Sequence, residues 1–346
     1  MRQGFARRSF ASRLPFFLLL VFFGCEQLEK SAAERRSAEI QPGEGLFPVR
    51  VDGKVGFMDG RGELVVQPQY AYALEATEGL VGVANLDEVW GYLDAGTGAV
   101  VIEPQFAQAG PFSDGLAAVV VNGLGAYVDT AGEVVVPPRF TGARRFSEGL
   151  AAVRVGERWG WIDRQGSVMI PPRYAFSRDV SEGLAVVRVE GRHGFVDENG
   201  EIVIEPRFAD AYSFSGGLAA VQMDDGTWGF VGPDGAFLHP PGYYGALGFS
   251  EGLAPVRIGA KWGFVDTAGT VVVEPRFDRA DRFSQGRAAV QDGDLWGYVD
   301  TTGAWVVEPA WARADAYARG LAQVGDGGGR YGYLDLAGNV VWEPSY

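Results

Sequence analysis

One unit of about 34 residues recurs nine times between Glu44 and Tyr346. A chain built this way folds as stacked copies of one supersecondary element, each burying its apolar face against its neighbours. The clearest copy runs Glu251-Gly252-Leu253, then Lys261-Trp262-Gly263-Phe264-Val265-Asp266, then Gly269 and Val271-Val272-Val273-Glu274-Pro275-Arg276-Phe277. No stretch of the unit carries a helical period. Its apolar runs are short and β-branched, which predicts strands throughout.

Each slot of the unit has a physical reading. The glycine before the first strand (Gly79, Gly149, Gly183, Gly252) suits a positive φ. An aromatic stands in the second strand of every copy: Phe57, Tyr92, Tyr127, Trp161, Phe195, Phe230, Phe264, Tyr298 and Tyr333. These are expected to stack into a continuous core, with the preceding glycine allowing close backbone approach. Asp-x-x-Gly, in seven copies, signals a type I turn closing a hairpin. A single Asp per unit falls far short of a calcium site. The third strand is expected to end at a proline or to lie at an edge, because proline cannot donate to a ladder. The glutamates before it (Glu103, Glu205, Glu274, Glu308, Glu343) read as a solvated stripe, partly offset by Arg139, Arg173, Arg207 and Arg276, rather than as catalytic acids.

The two histidines replace repeat residues, His193 in the tryptophan slot and His239 in the glutamate slot, and no cysteine is at hand to complete a zinc site. No nucleophile elbow, phosphate-binding loop or zinc-protease motif occurs. The chain is therefore expected to be non-enzymatic, with no catalytic residue, metal or cofactor. The sixth unit departs from the pattern at Phe237-Leu238-His239-Pro240-Pro241-Gly242-Tyr243-Tyr244, and Tyr243 and Tyr244 form a candidate recognition patch.

Ahead of the repeats, Arg2, Arg7, Arg8 and Arg13 precede an apolar run from Leu14 to Phe23, too short to span a bilayer. The sequence Phe22-Phe23-Gly24-Cys25-Glu26, holding the only cysteine, resembles the lipobox of bacterial lipoproteins. That resemblance implies cleavage of a signal peptide at 1–24, lipidation of Cys25, a flexible tether over 25–43, and delivery to the outer membrane; a soluble periplasmic or secreted form is the alternative. Losing residues 1–24 removes four arginines and no acid, taking the net charge from −14 to −18. Such an acidic chain repels phosphate backbones, which argues against nucleic-acid partners.

The repeat itself resembles the WG-repeat family, also called KWG repeats. Its signature dipeptide stands at Trp90-Gly91, Trp159-Gly160, Trp228-Gly229, Trp262-Gly263 and Trp296-Gly297; Val55, Gly125, His193 and Tyr331 fill the tryptophan slot elsewhere. The resemblance implies a β-rich scaffold over 44–346 and supplies no catalytic residues. The expected fold is all-β, nine three-stranded meanders in an open or superhelical solenoid, with a closed propeller-like ring as the alternative. Three-stranded units and a count of nine fit poorly with four-stranded blades numbering four to eight. The expected function is an envelope lipoprotein, monomeric, whose repeats offer an extended face to a protein or glycan; a spacer without a ligand competes, and a hydrolase is the remotest reading.

Overall fold

The computed structural model describes residues 45–345, so Cys25, the signal segment and the tether lie outside the described residues. The described chain forms nine antiparallel sheets in sequence order, eight of four strands and the first of three. In the fifth, a short strand Phe176–Ser177 pairs with Ala185–Val189, then Arg192–Val196, then Ile202–Phe208. The extra strand was missed because in most sheets it is only two residues long and carries no alternation of its own.

The sheets close into a ring, a nine-bladed β-propeller, and the open solenoid is overturned. An open array of nine units would have eight interfaces. Here there are nine apolar clusters, each uniting one blade with the next, and the ninth joins Leu321 and Tyr333 of the last blade to Phe47, Val49 and Met58 of the first. At this seam Tyr333 Oη donates to the Pro48 carbonyl at 2.8 Å, Ser345 Oγ to the Arg50 carbonyl at 2.8 Å, and Arg319 Nη2 to the Leu46 carbonyl at 3.1 Å. Among the described residues the first and last blades remain separate sheets, and side-chain packing joins them.

The nine second-strand aromatics are buried as expected. They do not form one continuous core, however: each fills its own interface, as where Tyr127 packs edge-on against Phe146 of the next blade at 4.8 Å. Where the aromatic is tyrosine, its hydroxyl reaches the neighbour's backbone, as from Tyr92 to Gly110 and from Tyr298 to Asp315, both at 2.7 Å.

The Trp-Gly and Glu-Pro segments are two halves of one feature. Trp159 pairs with Tyr174 and Trp161 with Ile170, so Gly160 alone faces Pro171, Pro172 and Arg173. This bulge of three residues against one folds the outermost strand back over the glycine: a Cβ on Gly160 would lie 2.3 Å from the Ile170 carbonyl oxygen and 2.6 Å from the Pro172 nitrogen. Proline suits the bulge because no ladder bond is asked of it. The outermost strand does not end there but runs on to the aromatic, at the outer edge of the blade.

The turn readings hold. Asp163 Oδ1 accepts from the amides of Gln165 and Ser167, and Gly166 adopts φ +82°. The Glu-Pro glutamates are exposed, but the arginines after the proline do not pair with them. Arg139, Arg173, Arg207 and Arg276 instead donate to the turn-glycine carbonyls of the next blade, Gly166, Gly200, Gly235 and Gly303. On the inner edges, Glu148 Oε1 and Oε2 accept from the Glu182 and Gly183 amides, and Ser181 Oγ donates to the Phe214 carbonyl.

Two measurements check this architecture. Phe47 and Tyr333 stand at opposite ends of the described chain yet their rings are 6.0 Å apart. A double-mutant cycle with Phe47→Ala and Tyr333→Ala should show a coupling of about 0.5–1.5 kcal/mol in urea unfolding, whereas an open array requires strict additivity. Gly160→Ala should cost about 1–3 kcal/mol by overpacking, seen as a lower urea midpoint.

Candidate functional site

The strand registers sort the motif residues onto two faces of the ring. The tryptophan slot lies where the third strand begins and the outermost strand ends, beside the crossing to the next innermost strand. The Glu-Gly-Leu and Asp-x-x-Gly turns lie at the opposite end. Trp90, Trp159, Trp228, Trp262 and Trp296 therefore share one face, and each is half-buried. Tyr72 stacks against Trp90 at 6.4 Å, Tyr212 lies tilted against Trp228 at 5.4 Å, and the Arg144 guanidinium lies over Trp159 at 4.9 Å. The glycines that follow them, Gly91, Gly160, Gly229, Gly263 and Gly297, are the bulge positions and act structurally.

Trp262 and Trp296, from neighbouring blades, line one groove of about 510 Å³ together with Arg257, Asp278, Arg279 and Asp281. Lys261 Nζ lies 2.6 Å from Asp278 Oδ1, and this hydrogen bond, with another from the Gly293 amide, holds the carboxyl below its ordinary range. Leu247 and Asp281 are walls of this groove and also of a second cavity, of about 540 Å³, bounded by the inner edges of blades 4 to 8. No one blade forms this axial cavity, and no motif residue of the repeat marks it.

Tyr243 and Tyr244 have separate surroundings. Tyr243 takes the outer-strand aromatic slot, pairs with Trp228 and meets Phe230 at 6.0 Å, and desolvation raises its phenol pKa. Tyr244 is 58% exposed; its carbonyl accepts from Arg257 Nη2 at 2.7 Å, so it sits on the crossing to the blade that carries Trp262.

Both histidines are buried. His239 pairs with Phe230, as Val273 pairs with Phe264, so it occupies the buried valine position rather than the glutamate slot; Pro240 takes the glutamate slot and Pro241 the repeat proline. Doubled prolines hid this one-residue offset. Blade 6 has Gly242 where blades 3, 4, 5 and 7 carry the turn-binding arginine, and His239 Nε2 supplies an equivalent link, 3.0 Å from the Thr267 carbonyl of the next blade. His193 stands in the tryptophan slot with Nδ1 3.0 Å from the Ala209 carbonyl and its ring edge-on to Phe176.

Burial holds the His193 imidazole below its ordinary value of 6.5, outweighing the hydrogen bond to Ala209 and the charge of Asp210. The unfolded chain therefore takes up a proton that the native chain resists, so this contribution is intact above pH 6.5 and declines as the pH falls below it. Urea midpoints at pH 7.5 and pH 5, about one unit above and more than one below that value, should fall further for the native protein than for His193→Trp, which restores the repeat residue.

The repeat pattern of the WG containing repeat family matches residues 56–85, 90–124, 126–159, 159–192, 194–226, 228–262, 262–296 and 296–328. The chain belongs to this family. The eight matched units straddle the blades, each running from the outer strands of one sheet into the inner strands of the next. Among curated proteins no significant match in sequence is found. Among solved structures, BamB from Moraxella catarrhalis is similar at 14% identity and a TM-score of 0.45, over 75% of this chain and 89% of that one. Apo AztD from Citrobacter koseri is similar at 11% identity and a TM-score of 0.44, over 87% of this chain and 93% of that one.

Proposed function

We propose that the protein is a non-enzymatic binding scaffold of the bacterial envelope, exported and anchored through lipidated Cys25, which takes a ligand on the face of the ring that carries the tryptophans. The observation that carries this reading is the groove of Trp262 and Trp296, contiguous with the axial cavity through Leu247 and Asp281. A spacer asks only for a uniformly polar exterior. Aromatic residues of adjacent blades turned half-exposed into one concavity are what recognition uses. Both histidines are buried with a ring nitrogen near a backbone carbonyl, which supports a role in packing rather than in acid-base chemistry.

The test is capture from envelope extract with the full mature chain, lipidated and in detergent. The expected outcome is a saturable protein or glycan partner lost with Trp262→Ala and Trp296→Ala and kept with Tyr72→Ala on a distant blade. A partner indifferent to both tryptophans, or none above a denatured control, sinks the reading and leaves the spacer.

A further inference from the structure

We infer that the axial cavity is an anion site, and that the ligand of the scaffold proposed above is an acidic saccharide whose carboxylate or phosphate enters the axis while its rings lie on Trp262 and Trp296. The inference rests on that scaffold reading and specifies its ligand.

The cavity exists because of what varies between blades. At the axis-facing position immediately before the aromatic that follows the innermost strand pairing (Phe146, Phe214, Phe249, Phe283), blades 6 and 7 carry Ser213 and Gly248, where blades 4 and 8 carry Arg145 and Arg282. The small residues open the volume and the large ones wall it. In a chain of net charge −14, four guanidinium groups (Arg144, Arg145, Arg178, Arg282) meet here with only two carboxylates, Asp179 and Asp281. The local sign is thus opposite to that of the molecule.

Two of the four cations are engaged. Arg145 Nε lies 3.0 Å from Asp179 Oδ2, and Arg178 Nη2 lies 3.8 Å from Asp210 Oδ1 with its guanidinium between the rings of Phe176 and Tyr212. Arg144 and Arg282 form no ion pair among the described residues. Arg144 is held by stacking on Trp159, and its Nε is buried with no hydrogen-bond partner. These two arginines belong to blades 4 and 8 of a ring of nine, and so stand on nearly opposite sides of the axis. An anion between them meets a fixed donor on one side and a free one on the other.

The size and the adjoining groove narrow the ligand. A volume of about 540 Å³ admits a small molecule or a chain end and excludes a folded partner. The indole faces of Trp262 and Trp296 suit the apolar C–H faces of sugar rings, and Asp278, Arg279 and Asp281 beside them suit hydroxyls. A polyphosphate backbone is repelled by the acidic exterior, whereas one acid group is held locally.

Isothermal titration of the mature chain with sialyllactose, which carries a single carboxylate, glucose 6-phosphate and neutral maltotriose tests this. Binding of either acidic sugar, with maltotriose at least about tenfold weaker and with Arg282→Gln and Arg144→Gln each weakening the acidic sugar roughly 10- to 100-fold, is the expected result. The carboxylate and phosphate arms identify which acid the site prefers. Arg282 is exposed, so Arg282→Gln should leave the melting temperature unchanged and keeps the test valid if Arg144→Gln destabilises. Equal affinity for maltotriose, indifference to Arg282→Gln, or no binding of any acidic sugar overturns the inference. Envelope capture that still depends on Trp262 would then leave the scaffold reading standing without it.

Discussion

The structure depends on one constraint: no blade can bury its own core. A single sheet of four short strands has an aromatic, alanines and valines on its faces and nothing of its own to cover them, so every apolar cluster lies between two blades. An open array would leave the faces of its first and last units in water. Closing the ring removes both ends at once. At the seam Arg319 occupies the slot that holds glutamate in blades 2, 4, 5 and 7, and it donates to Leu46 and lies 4.5 Å over the Phe47 ring. Desolvation there lowers its pKa, with the negative charge of Glu75 acting the other way. The seam is thus chemically distinct but performs the same joining role as the other eight interfaces.

The joints between blades are polar as well as apolar, and they substitute for one another. Where the Glu-Gly slot holds a carboxylate, it accepts from the backbone of the next blade; where it holds Gln285, the side-chain oxygen accepts from the Gly320 amide at 2.8 Å. Blade 6 has lost both the carboxylate, at Gly216, and the outer arginine, at Gly242, and is tied to blade 7 by Ser215 Oγ to the Phe249 carbonyl and by His239. Distributed joints of this kind let individual slots drift while the ring persists.

Much of this was legible in the sequence because the interfaces impose a period. The strands, the Asp-x-x-Gly turns, the buried aromatics and the need for glycine after tryptophan all follow from residue chemistry at fixed spacing. The innermost strand was not legible, since a two-residue segment such as Phe176–Ser177, which pairs with Arg188 and Val187, is too short to carry an alternation of its own. Without it each unit counted three strands, and that count was the main argument against a ring. The axial cavity was illegible for a different reason. It is assembled from Arg144, Ser213 and Arg282, which are separated by two blades or more, and no local pattern links them.

The division between frame and variation also locates function. Positions that join blades are constrained by contacts that recur around the ring, as when the turn glycine packs on the preceding blade's outer strand: Gly166 on Val136, Gly200 on Ile170 and Gly303 on Val273. The axis-facing positions carry no such demand. There the chain places Glu75, Pro111, Arg145, Asp179, Ser213, Gly248, Arg282 and Ala316 in turn, eight blades with seven residue types. A ring imposes rotational symmetry on its joints and relaxes it at its axis, where side chains from blades distant in sequence meet. Chemistry that needs unlike groups facing one another, a bound cation opposite a free one with small residues between, is available at that one place in the fold.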